Sequence, residues 1–194
     1  MDVYQAITRR RTIKHYRADA IPRDVIERLL DAAVWAPNHH LTEPWRFTVL
    51  TGAAKDGLAA LRRRQVAEAM VDPSTPQARM KLDDTYRKME GAVALVVVTC
   101  RNGPDPVVTE ENRLATAAAT QNLLLAATRE GLASFWSSGV ARYGPARAYL
   151  QVPDDEFIVA VVHLGYGAVE RPGRRRSARE LTRWFDAPPD AVAG

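Results

Sequence analysis

Cysteine is nearly absent from this chain of 194 residues: Cys100 is the only one. One thiol excludes an intrachain disulfide and fits a reducing compartment. It follows the apolar run Val93 to Val98, so a buried, inert thiol is expected, not a nucleophile. The 4 histidines are scattered, and with one cysteine they form no metal-ligand spacing. No Ser-His-Asp order stands out either. Met1 to Tyr16 lacks the apolar core of a secretory signal, and no run of about eighteen apolar residues exists. A cytoplasmic location without a membrane span is therefore expected. No glycine-rich phosphate fingerprint joins a strand to a helix, which argues against a doubly wound fold. The net charge of +4 lies mainly in three arginine triplets, Arg9 to Arg11, Arg62 to Arg64 and Arg174 to Arg176. No helix-turn-helix, zinc-finger or RNA-binding aromatic signature accompanies them, so no nucleic-acid partner is expected.

What remains is an ordinary globular composition, 46% hydrophobic and 26% charged. It suffices for one domain over residues 1–194 with a core that needs no metal or disulfide. Its most telling stretch is Arg9-Arg10-Arg11-Thr12-Ile13-Lys14-His15-Tyr16, just after a short helix carrying Val3, Tyr4 and Ile7 at helical spacing. Guanidinium groups pair bidentately with phosphate, the hydroxyl adds a neutral donor, and Lys supplies a mobile charge. The set suits a phosphorylated small molecule, against the plain alternative of a solvated basic turn.

Further along, Pro22 opens an amphipathic helix whose buried face is Val25, Ile26, Leu29, Leu30 and Ala33, ended by Pro37 near Trp35 or Ala36. A polar loop, Asn38 to Glu43, leads into the strand Phe47 to Leu50, and helices are expected at 53–71 and 77–89. Arg62 to Arg64 read as a solvated helix face. Ala92 to Thr99 is a strand covered on both faces. Thr109 is the expected N-cap of a long helix that is apolar on most sides and stops at Gly131. Ala133 to Gly139 is strand-like with a small polar tip, and Phe157 to Gly167 is the last strand. His163 within it is expected to be a satisfied core histidine, and Trp45 and Phe47 core residues. Unequal helices interleaved with strands favour a mixed α+β sandwich.

The start Arg10-Arg11-Thr12-Ile13-Lys14-His15-Tyr16, the helix ending Ala36-Pro37, the strand entry Pro44-Trp45-Arg46-Phe47 and the basic tail Arg174 to Leu181 together resemble the FMN-dependent nitroreductase family. The resemblance implies a three-layer sandwich, a mostly antiparallel sheet between helices, with the long helix at a homodimer interface. It implies FMN, with NAD(P)H as electron donor. Arg10, Arg11 and Thr12 match positions on the phosphate and ribityl oxygens, and Arg174 and Arg176 match the tail's phosphate-binding pair. Lys14 matches the cation near flavin N1 and O2, which stabilises the reduced ring and raises its potential. Phe135, Trp136 and Ser137 match the strand end along the ring, with backbone N–H groups of Ser138 and Gly139 beyond. Asn38 and His39 match loop positions that serve the partner subunit's flavin, although a solvated His39 is equally compatible with the sequence. Trp35 stands where close relatives place Arg, and Glu43 where the family usually has Gln.

The implied function is hydride transfer from NAD(P)H through flavin N5 to an electron-poor acceptor, a nitroaromatic or a quinone, by ping-pong kinetics. No protein nucleophile is required for that chemistry. The alternative is a flavin-binding storage or redox-sensing protein with no turnover of its own.

Overall fold

A computed structural model describes residues 1–169 and 172–186; residues 170, 171 and 187–194 of the expected domain lie outside that description. The centre is β3 (Ala94–Arg101), seven of whose residues are buried. It pairs antiparallel with β2 (Trp45–Leu50) and with β5 (Glu156–Gly167), a strand of 12 residues. β5 also takes β4 (Ala133–Ser137) over Val161 to Gly165, and the two-residue β1 (Tyr16–Arg17) at Tyr166 and Gly167. Every strand pair is antiparallel; the one parallel link is a bridge between Thr12 and Ser134.

Strand alternation sends β3 side chains into two cores. Ala94, Val96 and Val98 face α2 (Arg23–Ala33) and α5 (Pro106–Arg129), meeting Leu29, Ala119 and Leu123. Leu95 and Val97 face the other layer, meeting Leu58 of α3 (Gly52–Glu68), Met89 of α4 (Pro76–Glu90) and Ala146 of α6 (Gly144–Tyr149). The three-layer α+β sandwich expected from sequence is the fold. α1 (Val3–Arg9) is held by a capping box between Asp2 and Gln5, and its apolar residues Val3, Tyr4 and Ile7 remain exposed.

Several boundaries move for physical reasons. The cap of α5 lies four residues before Thr109, where Asp105 accepts from Val108 N at 2.9 Å and Pro106 occupies the first turn. Thr109 Oγ1 instead accepts from Gly103 N at 2.9 Å, folding the preceding loop onto the helix. α2 ends at Ala33, short of Trp35, which is 84% exposed. Gly131 does terminate α5, at φ +77°. The short β1 and α6, and the 3₁₀ turns at His39–Leu41 and Ala178–Leu181, complete the described chain.

Candidate active site

The segment after α1 runs along β4. Ile13 N donates to Ser134 O at 3.1 Å, which holds Arg10 to Lys14 beside the strand's first residues. The segment then passes over β5 at Gly165, where a Cβ would come within 2.7 Å of the Tyr16 ring. Glycine is required there because the Tyr16 ring lies directly on the strand.

Arg9, Arg10 and Arg11 thus gather at a cavity of about 520 Å³, whose far wall is Thr128, Gly131 and Ala133, where α5 ends and β4 begins. The tail joins them: Arg11 packs so closely on Gly173 that a Cβ there would lie 1.9 Å from Nη2. Burial, then the nearby charge of Arg175, then that of Arg11, lower the Arg10 guanidinium pKa from its ordinary value. The tail charge felt by Arg10 is that of Arg175, between the expected Arg174 and Arg176; all three are exposed. Arg11 Nη1 donates to Thr8 O at 2.6 Å and Arg10 O at 2.8 Å, while its Nε is buried without a partner among the described residues. None of these arginines has a carboxylate partner among the described residues. Clustered guanidinium groups repel one another, and a buried donor without an acceptor is costly. A phosphate answers both, so the residues present fit the phosphate of FMN. Thr12 is exposed on the same segment.

Further along the strand, alternation divides the expected ring-side residues. Phe135 and Ser137 face a second cavity of about 220 Å³, shared with Thr85, Lys88 and His163. Trp136 points to the opposite face and packs against the α2–α5 core, so its side chain cannot line the same surface as its neighbours. The Lys14 ammonium stands 4.5 Å from the Phe135 ring centroid. Behind Phe135 lies the His163 ring, centroids 4.9 Å apart. His163 is 1% exposed. Its Nδ1 lies 3.1 Å from Lys88 O, a carbonyl that can only accept, so Nδ1 carries the proton. Nε2 then accepts from Ser137 Oγ at 3.0 Å. Lys88 O belongs to the last turn of α4, where carbonyls lack helical partners, so His163 satisfies that helix end. Burial, with the Lys14 charge as a lesser contribution, lowers the His163 pKa to about 4. Burial likewise raises the Cys100 thiol pKa, leaving it a protonated core residue.

Trp35, Asn38 and His39 lie elsewhere. His39 Nδ1 is 2.9 Å from Glu111 Oε2, and Thr42 Oγ1 donates to Asn112 Oδ1 at 2.8 Å, so the loop rests on the first turns of α5. The arginine cavity is at the other end of that helix, at Thr128. Seventeen residues at 1.5 Å each separate the two by about 25 Å. The loop is bent sharply, with His40, Leu41 and Glu43 all at positive φ, 53°, 52° and 41°. Asn38 Oδ1 supports the bend by accepting from Glu43 N at 2.9 Å, the backbone donor beside the residue that stands in place of the family's Gln.

One site residue escaped the sequence reading. Arg62 does not belong to a solvated face; it crosses from α3 to the tip of β4, donating through Nη1 to Gly139 O at 2.8 Å and to Gln65 Oε1 at 2.7 Å. Arg63 and Arg64 do take the expected surface role, pairing with Asp83 and Glu68.

Comparison with known proteins places this arrangement. The NADH dehydrogenase of Thermus thermophilus is 27% identical over 209 aligned residues, covering 95% of this chain and 96% of that protein. The crystal structure of a nitroreductase-like family protein from Bacillus cereus superposes with a TM-score of 0.82 at 24% identity, over 96% of this chain and 97% of that one. The FMN-dependent nitroreductase NfnB from Mycobacterium smegmatis, solved in complex with NADPH, gives a TM-score of 0.75 at 20% identity, over 94% of this chain and 97% of that chain. The family model for the nitroreductase family matches residues 7–166. With most of its length so matched, and with the sandwich and basic cleft described above, the chain belongs to the nitroreductase family.

Proposed function

We propose that residues 1–194 form one FMN-binding domain, an oxidoreductase that passes electrons from NAD(P)H to electron-poor acceptors such as nitroaromatics or quinones. The observation that carries this reading is the cluster of Arg10, Arg11 and Arg175, which among the described residues has no carboxylate partner and leaves Arg11 Nε buried and unpartnered. FMN, when bound, supplies reversible uptake and release of a hydride equivalent. The chain supplies the rest. Arg10 and Arg11, with Thr12 and the tail, hold the phosphate. Lys14 brings a positive charge to the strand end, where charge on a reduced ring is stabilised. Phe135 and Ser137 form the adjoining wall, held rigid by His163. No residue of the site is positioned as a covalent nucleophile in this reading.

We further propose a homodimer with shared sites. Asn38 and His39 lie about 25 Å along α5 from the phosphate cradle of their own chain, out of reach of one cofactor's phosphate end. Large apolar side chains are left uncovered: Tyr4 at 78%, Trp35 at 84% and Leu114 at 62% exposure. Such surface marks an interaction site, and a second copy would bring each loop to the other's cleft. The buried free thiol of Cys100 agrees with a cytoplasmic setting.

The test is the visible spectrum of the purified protein before and after anaerobic NADPH or NADH. A yellow protein that bleaches and regains colour with a nitroaromatic or quinone supports the oxidoreductase. One that stays yellow with both donors indicates flavin storage or sensing without turnover. A colourless protein that FMN cannot reconstitute refutes the proposal.

A further inference from the structure

The cavity beside Phe135 and Ser137 has one charged group whose purpose the cofactor does not explain. Of the triplet on α3, Arg63 pairs with Asp83 and Arg64 with Glu68, but Arg62 has no carboxylate partner among the described residues. Its two acceptors, Gly139 O and Gln65 Oε1, are neutral and both use Nη1. Five N–H groups make up a guanidinium, so Nε–H and the pair on Nη2 remain. These have no protein partner among the described residues, unlike Arg11 Nε they are not fully buried, and Arg62 lines the cavity. The Nε–Nη2 edge is the one that meets a carboxylate with two parallel hydrogen bonds.

The strand tip is shaped to keep this group in place. A Cβ on Gly139 would come 2.6 Å from Cζ, 2.7 Å from Nη2 and 2.8 Å from Nε of Arg62. The nearest of these is the central carbon, so the guanidinium lies flat on the Gly139 backbone with its edge free. The other cation in the wall, Lys88, is already engaged by Asp84. Among the described residues, no carboxylate lines the cavity. Burial lowers the Arg62 pKa, so an anion beside it would offset a penalty that the folded chain carries alone.

We propose that Arg62 is a specificity-determining residue that selects planar aromatic acceptors bearing a carboxylate, held through its Nε–Nη2 edge at the Gly139 end of the cavity. The inference rests on the oxidoreductase reading for its acceptor, though not for the anion. The volume of about 220 Å³ favours this ligand over a nucleotide phosphate. A cavity of about 150 Å³ takes a benzene, whereas larger ligands occupy roughly 300–1,000 Å³.

The experiment compares kcat/KM for 4-nitrobenzoate and for 4-nitrobenzamide in the holoenzyme and in Arg62→Gln, Arg62→Lys and Gly139→Ala. The ratio of acid to amide falls at least tenfold in Arg62→Gln and in Gly139→Ala, which displaces the guanidinium without removing it. It falls by less in Arg62→Lys, which keeps the charge and loses the fork. Calorimetric titration with benzoate gives an independent reading, with binding at least tenfold weaker in Arg62→Gln. A ratio and a benzoate affinity within twofold of wild type in both Arg62→Gln and Gly139→Ala overturn the proposal. So does an effect confined to the KM for NADPH and absent for NADH, which would assign the fork to the donor's phosphate. If neither acceptor is turned over by the wild type, the acceptor proposal is overturned, while the oxidoreductase reading is decided separately by the bleaching of the flavin and its recovery with a quinone.

Discussion

His163 gives the sharpest test of the site's internal structure. It is buried, donates from Nδ1 to the last turn of α4, and accepts from Ser137 on β4, so only the neutral ring fits its surroundings. Burial first, and the nearby Lys14 charge second, lower its pKa from 6.5 to about 4. In the unfolded chain the ring titrates near its ordinary value. Between those two values the unfolded chain therefore takes up a proton that the folded one refuses. Stability that is complete above about pH 6.5 is lost as the pH falls toward 4, and the loss levels off below that. At 1.36 kcal/mol per pH unit the interval amounts to roughly 3 kcal/mol. His163→Gln has an amide that can donate to Lys88 O and accept from Ser137 Oγ, and it does not titrate. The assay is urea unfolding of both proteins at several pH values from 7 to 4. The variant is the less stable at pH 7, and its deficit relative to wild type shrinks by roughly 3 kcal/mol by pH 4. Carboxylate titrations common to both proteins cancel in the difference. A deficit that stays constant across the range would refute the assignment of a buried, neutral imidazole.

Three further outcomes follow from other parts of the molecule. Arg11→Ala removes charge-assisted hydrogen bonds and weakens FMN binding by roughly 10- to 100-fold, read by equilibrium titration, since such bonds contribute about 1.5–3 kcal/mol each. Lys14→Ala retains FMN but lowers its reduction potential, read by dye-linked potentiometry, because a cation favours the reduced ring. Asp105→Ala costs about 1 kcal/mol in urea unfolding through loss of the α5 cap, and an unchanged midpoint would contradict that cap.

Much of this molecule was legible in its sequence, because the signals were local. The run Val93 to Val98 announced a strand buried on both faces, Gly131 announced the end of the long helix, and His163 within an apolar strand announced a satisfied core histidine. The basic start of the chain pointed to an anion. What the sequence concealed was long-range. Whether Arg62 meets solvent or Gly139 depends on how α3 packs across the tip of β4, 77 positions away. That the charge of Arg175 reaches Arg10 depends likewise on the path of the tail. Three misses were readable in principle. Strand alternation alone separates Trp136 from Phe135 and Ser137. Asp105-Pro106 is a stronger helix start than Thr109, and Gly144-Pro145 signals α6 in the same way.

The separation of the Asn38 loop from the arginine cradle has a genetic consequence. If each cleft draws its cradle from one chain and its loop from the other, two differently damaged copies of the gene can rescue one another. A chain with Arg10→Ala paired with a chain with Asn38→Ala has one cleft carrying both lesions and one carrying neither. Either variant alone spoils both clefts of its homodimer, while co-expression restores activity in the mixed assemblies. Two lesions in the cradle, such as Arg10→Ala with Arg11→Ala, leave every cleft damaged however the chains are shuffled. A pattern of complementation among loss-of-function alleles would therefore map the site onto two chains without a structure of the dimer.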